Sequence, residues 1–171
     1  MSTNDAQAAF VERLDRHRGI LLKVATAYCR GAADREDLVQ DMIVQLWRAY
    51  GRFDGRYSFS TWMYRIAVNV AISFYRSTTR WPRVAPAGSA VLEELAAPEE
   101  PAEHGRLATL RGLIEELDPL NRALMILYLD DYPYAEIAAI LGITETNVAT
   151  KIGRIKERLR RNVAARAGME N

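Results

Sequence analysis

The chain predicts an all-α fold of two small helical domains joined by a flexible acidic linker, and three observations carry that prediction. Apolar residues recur at helical spacing along most of the chain, and no segment alternates with the two-residue period of a strand. Residues 84–105, VAPAGSAVLEELAAPEEPAEHG, interrupt the periodicity with Pro86, Pro98 and Pro101 and hold five acids without a single Lys or Arg. Beyond them, residues 118–161 spell three helices in quick succession, separated by short turns. A length of 171 residues with 49% hydrophobic content is enough to fill two small cores.

The first domain, residues 1–83, reads as three helices. The first runs from about Ala6 to Cys29, with Phe10, Leu14, Leu21 and Val24 among its apolar positions, and ends at Gly31. Cys29 is the single cysteine, so no internal disulfide exists, and its neighbours Val24, Ala25 and Tyr28 mark a buried thiol and a reducing compartment. The second helix, from about Arg35 to Ala49, is introduced by Asp34 and carries Val39, Met42, Ile43, Leu46 and Tyr50 on one face. Its other face holds Asp37, Gln40, Asp41, Gln45 and Arg48, a polar stripe that fits plain solvent exposure or a docking surface.

The loop GRFDGRYS follows, and Ser58 caps the third helix, FSTWMYRIAVNVAISFYRSTTRW. Phe59, Met63, Ile66, Val70 and Phe74 share the face expected to pack, which leaves Arg65, Asn69, Ser73 and Arg76 outside. Aromatic residues including Phe53, Tyr57, Trp62, Tyr75 and Trp81 are interleaved here with Arg52, Arg56, Arg65, Arg76, Arg80 and Arg83. Aromatic faces stack on unpaired bases and guanidinium groups hold phosphates, so the mixture suits single-stranded nucleic acid.

Residues 84–105 read as a tether with at most a brief helical turn at Val91–Leu95. Fully extended they reach roughly 70–75 Å. The tether also masks the charge pattern. The net charge of +1 divides into +5 for residues 1–83, −5 for 84–105 and +1 for 106–171, so basic surface is local.

The last domain, residues 106–171, contains the helix-turn-helix pattern. Asp118 and Pro119 read as an N-cap and first helical residue, opening a helix with Leu120, Leu124 and Leu127 at helical spacing. A short second helix, Tyr134 to Leu141, places Ile137 and Leu141 on one face and stops at Gly142, with Ile143 plugging the turn. Thr144 caps a third helix in which Val148, Ile152, Ile155 and Leu159 form a buried stripe. Thr146, Asn147, Thr150, Lys151 and Arg154 face outward, and Lys156, Arg158, Arg160 and Arg161 extend the positive charge toward the C-terminal end. That arrangement suits a helix laid in a DNA major groove, with short donors on base edges and cations on phosphates.

In sequence order these motifs resemble the bacterial RNA polymerase sigma factors of the extracytoplasmic-function group, in the sigma-70 family. DLVQDMIVQLWRAY at Asp37–Tyr50 is similar to the family's polymerase-docking helix. Phe59, Ser60, Thr61, Trp62, Met63, Tyr64, Arg65, Ile66, Ala67 and Asn69 match its promoter-melting segment. The helix-turn-helix matches its second promoter-reading domain. The resemblance implies a transcription initiation factor that binds core RNA polymerase and promoter DNA and is restrained by an anti-sigma factor. It implies docking through Asp37, Gln40, Asp41, Gln45 and Arg48. Minus-ten contacts would come from Arg56, Tyr57, Ser60, Trp62, Arg65, Asn69, Ser73 and Arg76. Minus-thirty-five contacts would come from Thr146, Asn147, Thr150, Lys151, Arg154 and Arg158. Val68, Ser73, Ala149 and Gly153 depart from the residues usual in the family.

Two other readings of the same residues are a helix-turn-helix transcriptional regulator and a sigma mimic that sequesters an anti-sigma factor. The first needs a receiver or ligand domain with strands, which the N-terminal half lacks. The second does not need the cations Lys151, Arg154 and Arg158. Only two histidines, His17 and His104, occur, with no metal-ligand spacing and no glycine-rich phosphate loop, so no enzyme activity and no cofactor are expected. No apolar run is long enough to span a bilayer and no leader segment is expected, which points to a cytoplasmic protein.

Overall fold

The computed structural model describes residues 3–80 and 101–169, and among them all regular structure is helical. The chain divides into two compact units, Met1–Glu103 and His104–Asn171, in agreement with the expected fold class. Of the expected tether, residues 84–100, including the turn at Val91–Leu95, lie outside the described residues, as do Trp81 and Arg83.

The N-terminal unit has four helices rather than three: α1 Thr3–Arg16, α2 Arg18–Tyr28, α3 Ala32–Tyr50 and α4 Phe59–Arg80. The continuous first helix expected from periodicity is broken at His17, whose φ of −115° and ψ of 11° leave the helical region. The His17 ring Nδ1 lies 2.9 Å from the Arg13 carbonyl oxygen, and Gly19 just beyond weakens helix continuation. The break serves packing. It lets Phe10 on α1 meet the rings of Trp47 and Tyr50, both 5.1 Å away, while Leu21 and Val24 on α2 enter the core.

Helices α2, α3 and α4 pack mutually. The face of α3 is rotated slightly from expectation: Leu38, Met42 and Leu46 are buried, whereas Val39, Ile43 and Tyr50 are half-buried flanks. The same correction applies to α4. Ile66, Val70 and Phe74 lie along a half-buried edge, and the buried ridge is Met63, Tyr64, Ala67, Val68 and Ala71. Alanines at positions 67 and 71 let two neighbouring helices approach closely, so the seam follows the small residues rather than the most hydrophobic ones. Val68 is 1% exposed, so an apolar residue at this departure from the family pattern belongs to the core.

Four further helices follow, α5 Pro101–Glu115, α6 Pro119–Leu129, α7 Tyr134–Leu141 and α8 Glu145–Met169, and from His104 onward they build the C-terminal unit. The periodicity of the sequence does not announce α5, because Gly105 and Gly112 interrupt it, and its first five residues fall within the expected tether. Its C-terminal end is held by Arg122, which is only 4% exposed and donates to the carbonyl oxygens of Glu115 and, at 3.1 Å, Leu117. A buried guanidinium is tolerable there because it satisfies carbonyls that the helix itself leaves unpaired.

The turn chemistry is as the sequence predicts. Asp118 accepts from the Asn121 amide at 3.1 Å, Gly142 takes the left-handed conformation at φ 67°, and Thr144 Oγ1 accepts from the Asn147 amide at 3.1 Å. Ile143 donates its amide to the Ala138 carbonyl at 3.2 Å, closing the end of α7. One difference is that α7 buries Ile137 and Ile140, with Leu141 only half-buried. The core gathers Leu113 and Leu117, Leu124 and Leu127 of α6, and Val148, Ile152 and Ile155 of α8.

Candidate functional site

Two surfaces are candidates, one on each unit. On the N-terminal unit, Asp37, Gln40, Asp41, Gln45 and Arg48 are all exposed on the outward side of α3. That side is not purely polar. At roughly 100° per residue, Val44 falls at the centre of the stripe and Trp47 at its edge. They remain 45% and 41% exposed, so the face is an apolar centre with a polar rim. Interfaces use that arrangement, since desolvated apolar anchors hold and the rim directs. Sequence reasoning missed both residues as surface features. The available signal was two apolar side chains inside a polar helical face.

Trp47 is held by its neighbours rather than free. Its ring stacks on Tyr50 at 6.4 Å and tilts against Phe10, so α1 braces this face of α3.

The loop between α3 and α4 carries Arg56 and Tyr57. Arg56 is highly exposed and turns back to Asp54, its Nε 3.1 Å from the carboxylate, while Tyr57 is 49% exposed. Gly55 at φ 73° makes the tight turn that sets them side by side. Ser60 is the second residue of α4, its hydroxyl 2.9 Å from that of Ser58, and Ser58 Oγ accepts from the Thr61 amide as the expected cap. Trp62 is half-buried in a ring cluster with Phe53 at 5.1 Å and Phe59 at 5.3 Å, so the loop is backed by a rigid aromatic wall.

Arg65, Asn69, Ser73 and Arg76 are exposed along α4, as expected. The structure nevertheless brings Asn69 and Ser73 away from the loop and into a groove of about 600 Å³ shared with Asp41 and Gln45 of α3, floored by Ile66, Val70 and Phe74. The residues assigned to polymerase docking and to minus-ten contact therefore border one another.

On the C-terminal unit, α8 buries Val148, Ile152 and Ile155, with Leu159 half-buried, and turns its opposite side outward. Thr150 lies at the centre of that side, with Thr146, Gly153 and Glu157 on one flank and Asn147, Arg154 and Arg158 on the other. All seven are exposed, and Lys151 is half-buried at the border. Thr150 Oγ1 donates to the Thr146 carbonyl at 3.0 Å, which leaves its oxygen to act as an acceptor and its methyl group uncovered.

The cations of α8 separate into two sets. Lys156 is drawn inward, donating to Tyr128 Oη at 3.1 Å with its ammonium 5.2 Å from the ring centroid, and so ties α8 to α6. Arg161 and, more distantly, Arg160 pair with Glu157, and Arg166 pairs with Glu116 at 2.8 Å. Lys151, Arg154 and Arg158 make no ion pair within the described residues. Lys151, Arg154 and Arg158 are thus the cations of α8 without an ion pair among the described residues, while Arg160 and Arg161 are held only by exposed pairs.

A helical bundle with an exposed, apolar-centred helix face, followed by a helix-turn-helix with unpaired cations on its third helix among the described residues, suits a protein that binds DNA and engages a protein partner. The comparisons with known proteins agree. The Sigma-70 region 2 family matches residues 14–81, and the Sigma-70, region 4 family matches residues 107–159. The RNA polymerase sigma factor CnrH of Cupriavidus metallidurans is 27% identical over 163 residues, covering 90% of this chain and 85% of that one. The ECF RNA polymerase sigma-E factor of Escherichia coli strain K12 is 30% identical over 148 residues, covering 79% and 78%.

Among solved structures, CnrH in complex with the cytosolic domain of CnrY aligns with a TM-score of 0.68 at 26% identity, over 93% of this chain and 90% of that one. The Bartonella quintana sigma factor RpoE in complex with the anti-sigma factor NepR aligns with a TM-score of 0.67 at 19% identity, over 95% and 98%, and supports the fold alone. The chain belongs to the extracytoplasmic-function sigma factors of the sigma-70 family. It is a transcription initiation factor that directs RNA polymerase to promoters, and sigma factors are not enzymes. Among the described residues no helix is long and apolar enough to cross a membrane.

Proposed function

We propose that the two units divide promoter recognition between them, with α8 reading the minus-thirty-five element as duplex and the N-terminal unit docking on polymerase and capturing the minus-ten element. The observation that carries this reading is the outward face of α8, where Thr150, Arg154 and Arg158 stand exposed and Lys151, Arg154 and Arg158 have no charge partner among the described residues. Short side chains and an arginine at the front of a recognition helix suit base edges, and a cation further along suits the phosphate backbone.

In the N-terminal unit, Asp37, Gln40, Asp41, Gln45 and Arg48 around Val44 and Trp47 form the polymerase-docking face. Arg56, Tyr57, Ser60, Trp62, Arg65 and Arg76 engage the minus-ten strand, where the aromatic wall offsets the few kcal/mol needed to unstack a base. Asn69 and Ser73 stand where these two faces meet. An anti-sigma factor is the further partner, and the related sigma factor CnrH was solved with the cytosolic domain of another protein, CnrY, bound to it. Action in the cytoplasm follows from these partners.

The test separates base reading from phosphate holding. Arg154→Ala is expected to cost about 1–3 kcal/mol on the preferred promoter and to relax preference at one or two base pairs. Arg158→Ala is expected to weaken all promoters about equally. The measurement is transcription by reconstituted holoenzyme across a panel of single-base promoter variants. A uniform loss for Arg154→Ala would make it a phosphate clamp and remove the proposed division of the helix.

A further inference from the structure

Gly153 sits in the interior of the 25-residue helix α8, where glycine is the least favourable residue other than proline. Nothing inside the described structure requires it. Its φ is not positive, unlike those of Gly55 and Gly142, so no left-handed conformation demands glycine. A methyl group added there would meet no side chain or neighbouring element within 4 Å among the described residues. The position is exposed, so packing against α6 or α7 does not exclude a side chain either.

What distinguishes Gly153 is its place on the outward face. It flanks Thr150 on the side opposite Arg154, and one turn earlier stands Ala149, exposed and equally short. Between Thr146 and Glu157, which share this flank, the helix backbone is therefore covered only by Ala149 and Gly153, while Arg154 and Arg158 line the other flank. We infer that Gly153 is a specificity-determining residue by absence: it lets the α8 backbone approach the sugar–phosphate wall of the major groove, which seats Thr150 and Arg154 at base-edge depth. A side chain at this position would lift the helix away from the groove floor, and contacts at Thr150 and Arg154 would weaken together. This inference rests on the proposed reading of α8 as the minus-thirty-five helix.

The test is Gly153→Ala in the full chain, with Arg154→Ala beside it. Two properties are measured: thermal unfolding of the free chain, and binding of reconstituted holoenzyme to a labelled promoter duplex selected by wild-type holoenzyme from a library randomised upstream. Alanine removes the helix penalty, so Gly153→Ala is expected to unfold at the same or a higher temperature while binding the duplex at least about fivefold more weakly. Gly153→Leu is expected to bind more weakly still. Stability and binding moving in opposite directions is the signature, since a fold defect moves them together.

Unchanged or tighter binding by Gly153→Ala would overturn the inference, as would a joint loss of stability and binding. Arg154→Ala separates the two levels of argument. If Arg154→Ala weakens binding and Gly153→Ala does not, only the close approach fails. If neither matters, α8 is not the reading helix.

Discussion

At the scale of single residues, two backbone positions in the C-terminal unit carry opposite strain. Gly142 holds φ 67° without penalty, whereas Asp131, at the end of α6, holds φ 57° as a residue with a Cβ. Gly142→Ala is therefore expected to destabilise the unit by about 1 kcal/mol or more, and Asp131→Gly to leave it unchanged or stabilise it by a few tenths to about 1 kcal/mol. Denaturant titration of the two variants checks the pair, and destabilisation by Asp131→Gly would mean that its side chain contributes more than the conformation costs. Residues of this kind were legible in the sequence. Asp118, Gly142 and Thr144 announce caps and turns because their chemistry acts on backbone atoms two to four residues away. Arg122 was not legible, since its partners at Glu115 and Leu117 belong to a helix end that tertiary packing brings to it.

At the scale of elements, helix phase was harder to read than helix existence. The face of α4 was misjudged because Ala67 and Ala71 weigh little in a hydrophobic pattern yet decide where two helices touch. The break at His17 was invisible for a related reason: periodicity runs across it, and only the separate destinations of Phe10 and Leu21 require it. The outward face of α3, proposed here to dock on polymerase, was half legible. Its polar stripe stood out, but Val44 and Trp47 on the same side were not singled out, because which apolar residues stay uncovered depends on where the bundle packs. They make a sharper prediction than charge alone. Gln40→Ala with Asp41→Lys is expected to weaken binding to core polymerase while the fold persists. Val44→Ala, a truncation at the apolar centre, is expected to cost about 1–2 kcal/mol of the same affinity. A titration of labelled polymerase against each variant decides, with circular dichroism as the control for folding, and unchanged affinity for both would move docking off this helix.

At the scale of the whole molecule, charge is segregated rather than abundant: +5, −5 and +1 along the three segments. Among the described residues, Lys151, Arg154 and Arg158 are the basic residues of α8 that make no ion pair or hydrogen bond within the unit. So few cations neutralise few phosphates, and the chain without polymerase is expected to bind duplex DNA weakly. About three phosphate contacts give a slope of log affinity against log salt near −3, far shallower than that of an autonomous repressor. Fluorescence anisotropy of a labelled duplex over a salt series reads it directly, and tight binding by the free chain would favour an independent regulator over an initiation factor. The anatomy of α8 has a consequence for descent as well. Its fold-bearing residues, Val148, Ile152 and Ile155, share no positions with its reading face, and the free cations there hold nothing else in place. Drift on the outward side is thus nearly invisible to folding. A duplicated copy of this chain is free to acquire a new set of target genes through a few substitutions while its architecture stays under the same selection.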